Sequence, residues 1–138
     1  MKIIAALLLL SCASCMMTYK QPEPVVERDF QVGTERAVSV GVPMTRTTTR
    51  TGNETFELLL IYLGRGASGA IIESREFSNG YARPAFTQRY EQDSSSPTMT
   101  IRNLKIAIAS ATPNEIHFTV LSDSEPLRRD FPASAPTR

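Results

Sequence analysis

The sequence predicts an all-β protein, a single antiparallel β-sandwich or small barrel-like domain of seven to nine short strands. Three observations predict it. In the C-terminal half, apolar residues recur at every second position, as Leu104, Ile106 and Ile108 and again as Ile116, Phe118 and Val120. That is the period of a strand with one face buried. The dipeptides Gly52-Asn53, Asn79-Gly80 and Pro113-Asn114 supply turn chemistry between such runs. No stretch repeats apolar residues at helical spacing, so an alternating strand–helix architecture is not expected.

Taken in order, residues 16–24 (MMTYKQPEP) hold two prolines and no periodicity and read as tether. Val38, Val40, Val42 and Met44 alternate with smaller or polar residues, as one strand would. Residues 45–51 (TRTTTRT) are polar and β-branched, which suits an exposed edge strand. Residues 55–63 (TFELLLIYL) are apolar enough for a strand buried on both faces. A glycine-rich turn, 64–69, precedes a strand over 70–77 (AIIESREF). Arg83 should be extended because proline follows it. Residues 85–91 (AFTQRYE) read as a strand and 92–97 (QDSSSP) as a loop. Three clean alternations follow, over 98–102, 104–109 and 115–120. From Ser122 the chain turns polar and proline-rich, and 132–138 (PASAPTR) reads as a loose tail. The expected organisation is a signal peptide over 1–11, a tether over 12–24, a β-rich domain over 25–131 and the tail.

At 138 residues the chain is one domain's worth. Fifteen basic residues against 14 acidic ones leave a net charge of +1, too little for nucleic-acid binding by counterion release. Hydrophobic residues at 41% and charged residues at 21% argue against disorder of the whole chain. With His117 the lone histidine and both cysteines near the start, neither a metal site nor a cofactor is expected.

The first residues are the most informative. Met1-Lys2 forms a minimal positive segment, and Ile3 to Leu10 (IIAALLLL) is an apolar run within signal-peptide length. Eight residues fall far short of the roughly 20 that span a bilayer as a helix. Leu9-Leu10-Ser11-Cys12 then resembles the lipobox of bacterial lipoproteins. The resemblance implies diacylation of Cys12, cleavage before it and acylation of the new amino group. Cys15 is the alternative, giving a more ordinary signal length but placing Cys12 where the lipobox has leucine. A third reading is ordinary cleavage after Ala13, giving a soluble secreted domain. Two or three acyl chains at about 0.8 kcal/mol per buried methylene would make attachment permanent. Ala13 is not the aspartate that, in such lipoproteins, favours inner-membrane retention, so the resemblance points to the outer membrane. Removal of 1–11 takes away Lys2 and leaves 14 charges of each sign.

The chemically densest stretch is 74–91, SREFSNGYARPAFTQRYE. Arg75, Arg83 and Arg89, with Tyr81 and Gln88, form a candidate anion or small-ligand site, because guanidinium groups bind carboxylate or phosphate bidentately. The plainer reading is a solvated hairpin face. Arg75 and Glu76 should point to opposite faces of a strand, as should Glu73 and Glu76. The runs REFS (75–78) and RPAFTQ (83–88) resemble those of small uncharacterised bacterial β-rich lipoproteins. That likeness covers about residues 56–121 and implies a shared fold, with no functional residue carried over.

Other letters fit chemistry less well. Gly64-x-Gly66-x-x-Gly69 matches a dinucleotide fingerprint, but a strand follows where the fingerprint needs a helix. Ser94-Ser95-Ser96 lacks the glycines of a nucleophile elbow. His117 lies mid-strand, opposite Ile116 and Phe118, with no second histidine. No catalytic residue is assigned. The expectation is a membrane-anchored, non-enzymatic envelope module that binds a protein partner through an exposed sheet edge, with Thr47 and Thr49 on the candidate edge.

Overall fold

The computed structural model describes residues 20–124. The lipidation candidates Cys12 and Cys15, the signal segment and the tail lie outside those residues. The described residues form ten strands in two antiparallel sheets. In chain order these are β1 (Val25–Arg28), β2 (Glu35–Ser39), β3 (Pro43–Thr51), β4 (Glu54–Arg65), β5 (Ala70–Ser78), β6 (Tyr81–Ala82), β7 (Gln88–Glu91), β8 (Thr98–Ile101), β9 (Leu104–Ala111) and β10 (Glu115–Asp123). The larger sheet runs β1-β3-β4-β5-β6, with β7 also on β5, and the smaller runs β2-β10-β9-β8. Neither closes on itself, so the fold is a sandwich and not a barrel.

The core follows from the alternation. Leu60, Tyr62, Ala70 and Ile72 of the large sheet meet Ile106, Ile108, Ile116, Phe118 and Val120 of the small one. β4 is buried on both faces from Leu58 to Tyr62, as its apolar run requires. Leu59 and Ile61 point away from the core cluster, and Leu59 is flanked across the ladder by Arg46 and Arg75. Aliphatic stems of such arginines cover apolar surface while their heads stay in water.

Four expectations change. The alternation over 38–44 is not one strand: β2 ends at Ser39 and β3 begins at Pro43. Gly41 turns between them at φ +81°, a conformation that favours glycine, and the two strands join different sheets. Residues 45–51 are not an edge. β1 pairs Arg28 with Thr47 and Val25 with Arg50, so β3 lies between β1 and β4, and Thr45, Thr47 and Thr48 are buried. Residues 85–91 are not all strand, since Pro84–Phe86 forms a 3₁₀ turn before β7. Arg83 still avoids the helical region, at φ −114° and ψ 79°. The strands outnumber the expected seven to nine because β1 sits in a segment without alternation, the 38–44 run divides, and β6 is only two residues long.

Other elements stand as read. Asn79-Gly80 joins β5 to β6 with φ +50° and +81°, the left-handed pair of a tight hairpin turn. β5 begins directly after the glycine-rich turn, so no helix follows the Gly64–Gly69 letters.

Ties beyond the apolar core hold the sheets in register. Arg28 of β1 pairs with Asp123 of β10, and Asn103 donates to the same carboxylate. Tyr62 donates its hydroxyl to the Thr112 carbonyl in the β9–β10 turn.

Leu60→Ala should cost about 2–5 kcal/mol, since it empties a fully buried site between the sheets. Val25→Ala, at an exposed position of β1, should change stability by less than about 0.5 kcal/mol. Urea unfolding midpoints, with unchanged slope, check both.

Candidate functional site

β5 carries a carboxylate to each of its faces, as the period of two requires. Glu76 lies on the core side with Ile72, and Glu73 lies on the opposite side with Arg75. Both are buried, Glu73 at 7% exposure and Glu76 at 1%. A buried carboxylate needs a cation and hydrogen bonds, or it costs several kcal/mol. Each of these has two arginines.

On the outer face, Arg75 Nε donates to Glu73 Oε1 at 2.6 Å and Arg89 Nη2 donates to Oε2 at 3.2 Å. Arg89 reaches Glu73 because β7 pairs the two residues directly across the ladder. The bond from Arg75 does most to hold the Glu73 carboxyl below its ordinary value. Burial pushes the other way, and Arg89 adds to the lowering.

On the core face, Arg102 Nη2 donates to Glu76 Oε1 at 3.0 Å, and Arg83 Nη1 lies 3.8 Å from Oε2. Arg102 also donates to the Phe86 carbonyl at 3.3 Å. The Arg83 guanidinium stacks over the Phe86 ring at 3.9 Å from its centre. Glu76 thus joins β5 to the β6–β7 connection and to the β8–β9 turn of the other sheet. Arg102 holds φ +57° in that two-residue turn, a conformation that costs a non-glycine residue on the order of 1 kcal/mol or more.

The five sequence candidates therefore do not converge. Arg75 and Arg89 share Glu73 on one face, while Arg83 belongs to Glu76 on the other. Tyr81 is 78% exposed on β6. Gln88 accepts a hydrogen bond from the Tyr90 hydroxyl at 2.6 Å on the exposed edge strand. Glu76 and Arg102 had one legible signal between them, a charged residue at a core-facing position of an alternating strand. Their partnership spans 26 residues and had none.

His117 sits opposite Ile116 and Phe118, as expected. Its Nε2 is 2.8 Å from Glu115 and its Nδ1 is 3.5 Å from Glu35. Among the described residues no group of three or more metal-capable side chains gathers.

A concavity lies elsewhere, at the end of the sandwich where β4 turns into β5. It is an open groove of about 210 Å³, lined by Arg65, Ser68, Gly69, Gln92, Ser94 and the last residues of β9. Its walls are braced. Glu91 accepts the Ser68 N–H at 3.0 Å, and Gln92 accepts from the Ala70 N–H and donates to the Ser96 carbonyl at 2.9 Å. A Cβ at Gly69 would come within 3.0 Å of Gln92, so glycine lets the turn approach the loop. The glycine spacing over 64–69 predicts a turn and carries no signal of this wall. In comparisons with known proteins, the chain matches no family model, no curated protein and no solved structure.

Two outcomes follow. Glu76→Gln should destabilise the fold by about 3–5 kcal/mol, because it leaves two arginines at a buried site without their counter-ion; Gln88→Ala on the exposed edge should cost less than about 0.5 kcal/mol. Glu73 binds its proton more weakly folded than unfolded. Its contribution to stability is therefore complete above the ordinary value of 4.5 and is lost as pH falls through the lower folded value. Glu73→Gln should flatten the acid limb of a stability–pH curve below that point, as read by thermal unfolding from pH 6 downward.

Proposed function

We propose that this chain is an exported bacterial lipoprotein whose β-sandwich is a non-enzymatic binding module of the cell envelope. The observation that carries the reading is the lipobox-like run Leu9-Leu10-Ser11-Cys12, set just ahead of a folded domain whose first strand begins at Val25. Cys12 carries the lipid, with Cys15 the alternative. Residues 13–24 span at most about 40 Å when fully extended, which keeps the sandwich close to the membrane. The outer membrane is the favoured destination, on the resemblance noted for Ala13.

Two features support binding over catalysis. The buried carboxylates Glu73 and Glu76 are each committed to arginines that also hold the fold together. An open feature of the described surface is a braced groove beside a strand end, and extended segments of partner proteins dock at sheet edges by adding a strand. The groove is open and smaller than the roughly 300 Å³ that encloses a drug-sized molecule, so its occupant lies across it with most of its bulk outside, as a docked segment of a protein partner does. The reading involves no cofactor and no nucleic acid.

Intact-mass spectrometry of membrane-extracted full chain tests the anchor. A mature chain starting at Cys12 and carrying acyl mass is expected, lost in Cys12→Ser and kept in Cys15→Ser. A chain starting at Ser14 without acyl mass would overturn the lipoprotein reading in favour of a soluble exported domain.

A further inference from the structure

We infer that the groove at the end of β9 binds an extended peptide segment bearing a carboxylate, which pairs as an added strand with residues 109–111 and places its acid on Arg65. This deepens the proposed binding role and rests on it.

The first observation is an unfinished ladder. β8 pairs with β9 only from Leu104 to Ala107, and the Ile108 N–H donates to the Pro97 carbonyl at 2.9 Å. β9 then runs on to Ala111. Over this last stretch β10 lies on one side, pairing Ser110 with His117 and Ala111 with Ile116, with Ala109 bulged out of the ladder between Ile108 and Ser110. On the other side is the groove, lined by Ala109, Ser110 and Ala111. A strand edge open there is a template for another chain. The small side chains of Ala109, Ser110 and Ala111 leave room for that chain.

The second observation is charge. Among the described residues every arginine except Arg46 and Arg65 sits in an ion pair. Arg46 lies across from Leu59 on the outer face of the large sheet. Arg65 lines the groove. The nearby acids do not line it: Glu91 accepts the Ser68 N–H, and Asp93 accepts from the Ser95 N–H and hydroxyl at 2.8 and 2.7 Å. The hydroxyls of Ser68, Ser94 and Ser110 make no hydrogen bond among the described residues. The groove thus presents a free cation, free hydroxyls and an open strand edge on braced walls. An acidic extended segment satisfies all three, because carboxylate–guanidinium bonds are the strong, directional ones.

The test uses the full chain, isotope-labelled and solubilised in detergent, with acetyl-Thr-Val-Thr-Val-Asp-amide and its Asn and Lys counterparts as probes. The Asp peptide should shift the amide resonances of Ala109, Ser110, Ala111 and Ser68. Arg65→Gln should weaken it about tenfold, and the Asn and Lys peptides should bind the unaltered chain no better than that. Ser94→Trp, on an exposed loop away from the core, should fill the groove and abolish the shifts. Equal affinity in Arg65→Gln, shifts confined to β1, β2 or β7, or no shift at millimolar peptide would each overturn the assignment. So would groove shifts that follow protein concentration alone, which indicate a second copy, or that follow deletion of 125–138, which indicate the chain's own tail. The acyl mass of the same sample is read separately, so a failed groove on an acylated chain is distinguishable from a failed anchor.

Discussion

Burial of β4 on both faces is the constraint on which the other features depend. A strand carrying Leu58 through Tyr62 without a polar interruption must be covered twice. The small sheet covers it on one side. On the other, β3 and β5 place arginines beside Leu59. β3 and β5 flank β4, β3 is covered in turn by β1, and β5, lying beside β4, carries its two glutamates into buried ground. The ion pairs of Glu73 and Glu76 are therefore consequences of where β4 lies.

Those two carboxylates do different work. Glu73 is satisfied within its own sheet, by a residue two positions along β5 and by a cross-strand neighbour on β7. Such a pair tunes local stability and responds to pH. Glu76 is paired with arginines from two connections, one in each sheet, and fixes how the β8–β9 turn meets β5. A buried pair of this kind is a poor source of net stability but a strong source of register, because each misplacement leaves a charge in apolar surroundings. The strained Arg102 turn is consistent with that role. At the far end of the sandwich Tyr62 and Thr112 make the corresponding tie, with no charge involved.

The surface left over is correspondingly polarised. Most arginines are neutralised by carboxylates that the fold itself brings to them. Among the described residues Arg65 has no such carboxylate, because it stands where β4 has outrun the acids of β5 and where β9 has outrun β8. An end of a sandwich at which strands stop at different lengths exposes both side-chain charge and backbone edge. The braces from Glu91 and Gln92 keep that end ordered without filling it.

Much of this was legible in the residues alone. Alternation at 104–108 and 116–120 specifies strands because a half-buried strand repeats every two positions. Asn79-Gly80 specifies its turn because both residues tolerate positive φ. The run at 58–62 announces burial on two faces because nothing polar interrupts it, and the opposed faces of Arg75 and Glu76 follow from the pleat. The sequence also bounds the site chemistry, since one histidine and two early cysteines leave few ligands. What it could not decide is which strands become neighbours. β-Branched, polar residues at 45–51 suit an edge or a covered strand equally, and only the pairing of β1 with β3 decides. Arg75, Arg83 and Arg89 look like one cluster along the chain, yet one lies on the face opposite the other two. The partners of Glu76 and the open end of β9 depend on contacts between residues far apart in sequence. Period and turn chemistry are local properties and can be read from the chain; ion pairing and exposed edges are properties of the assembled sheets, and only the tertiary structure decides them.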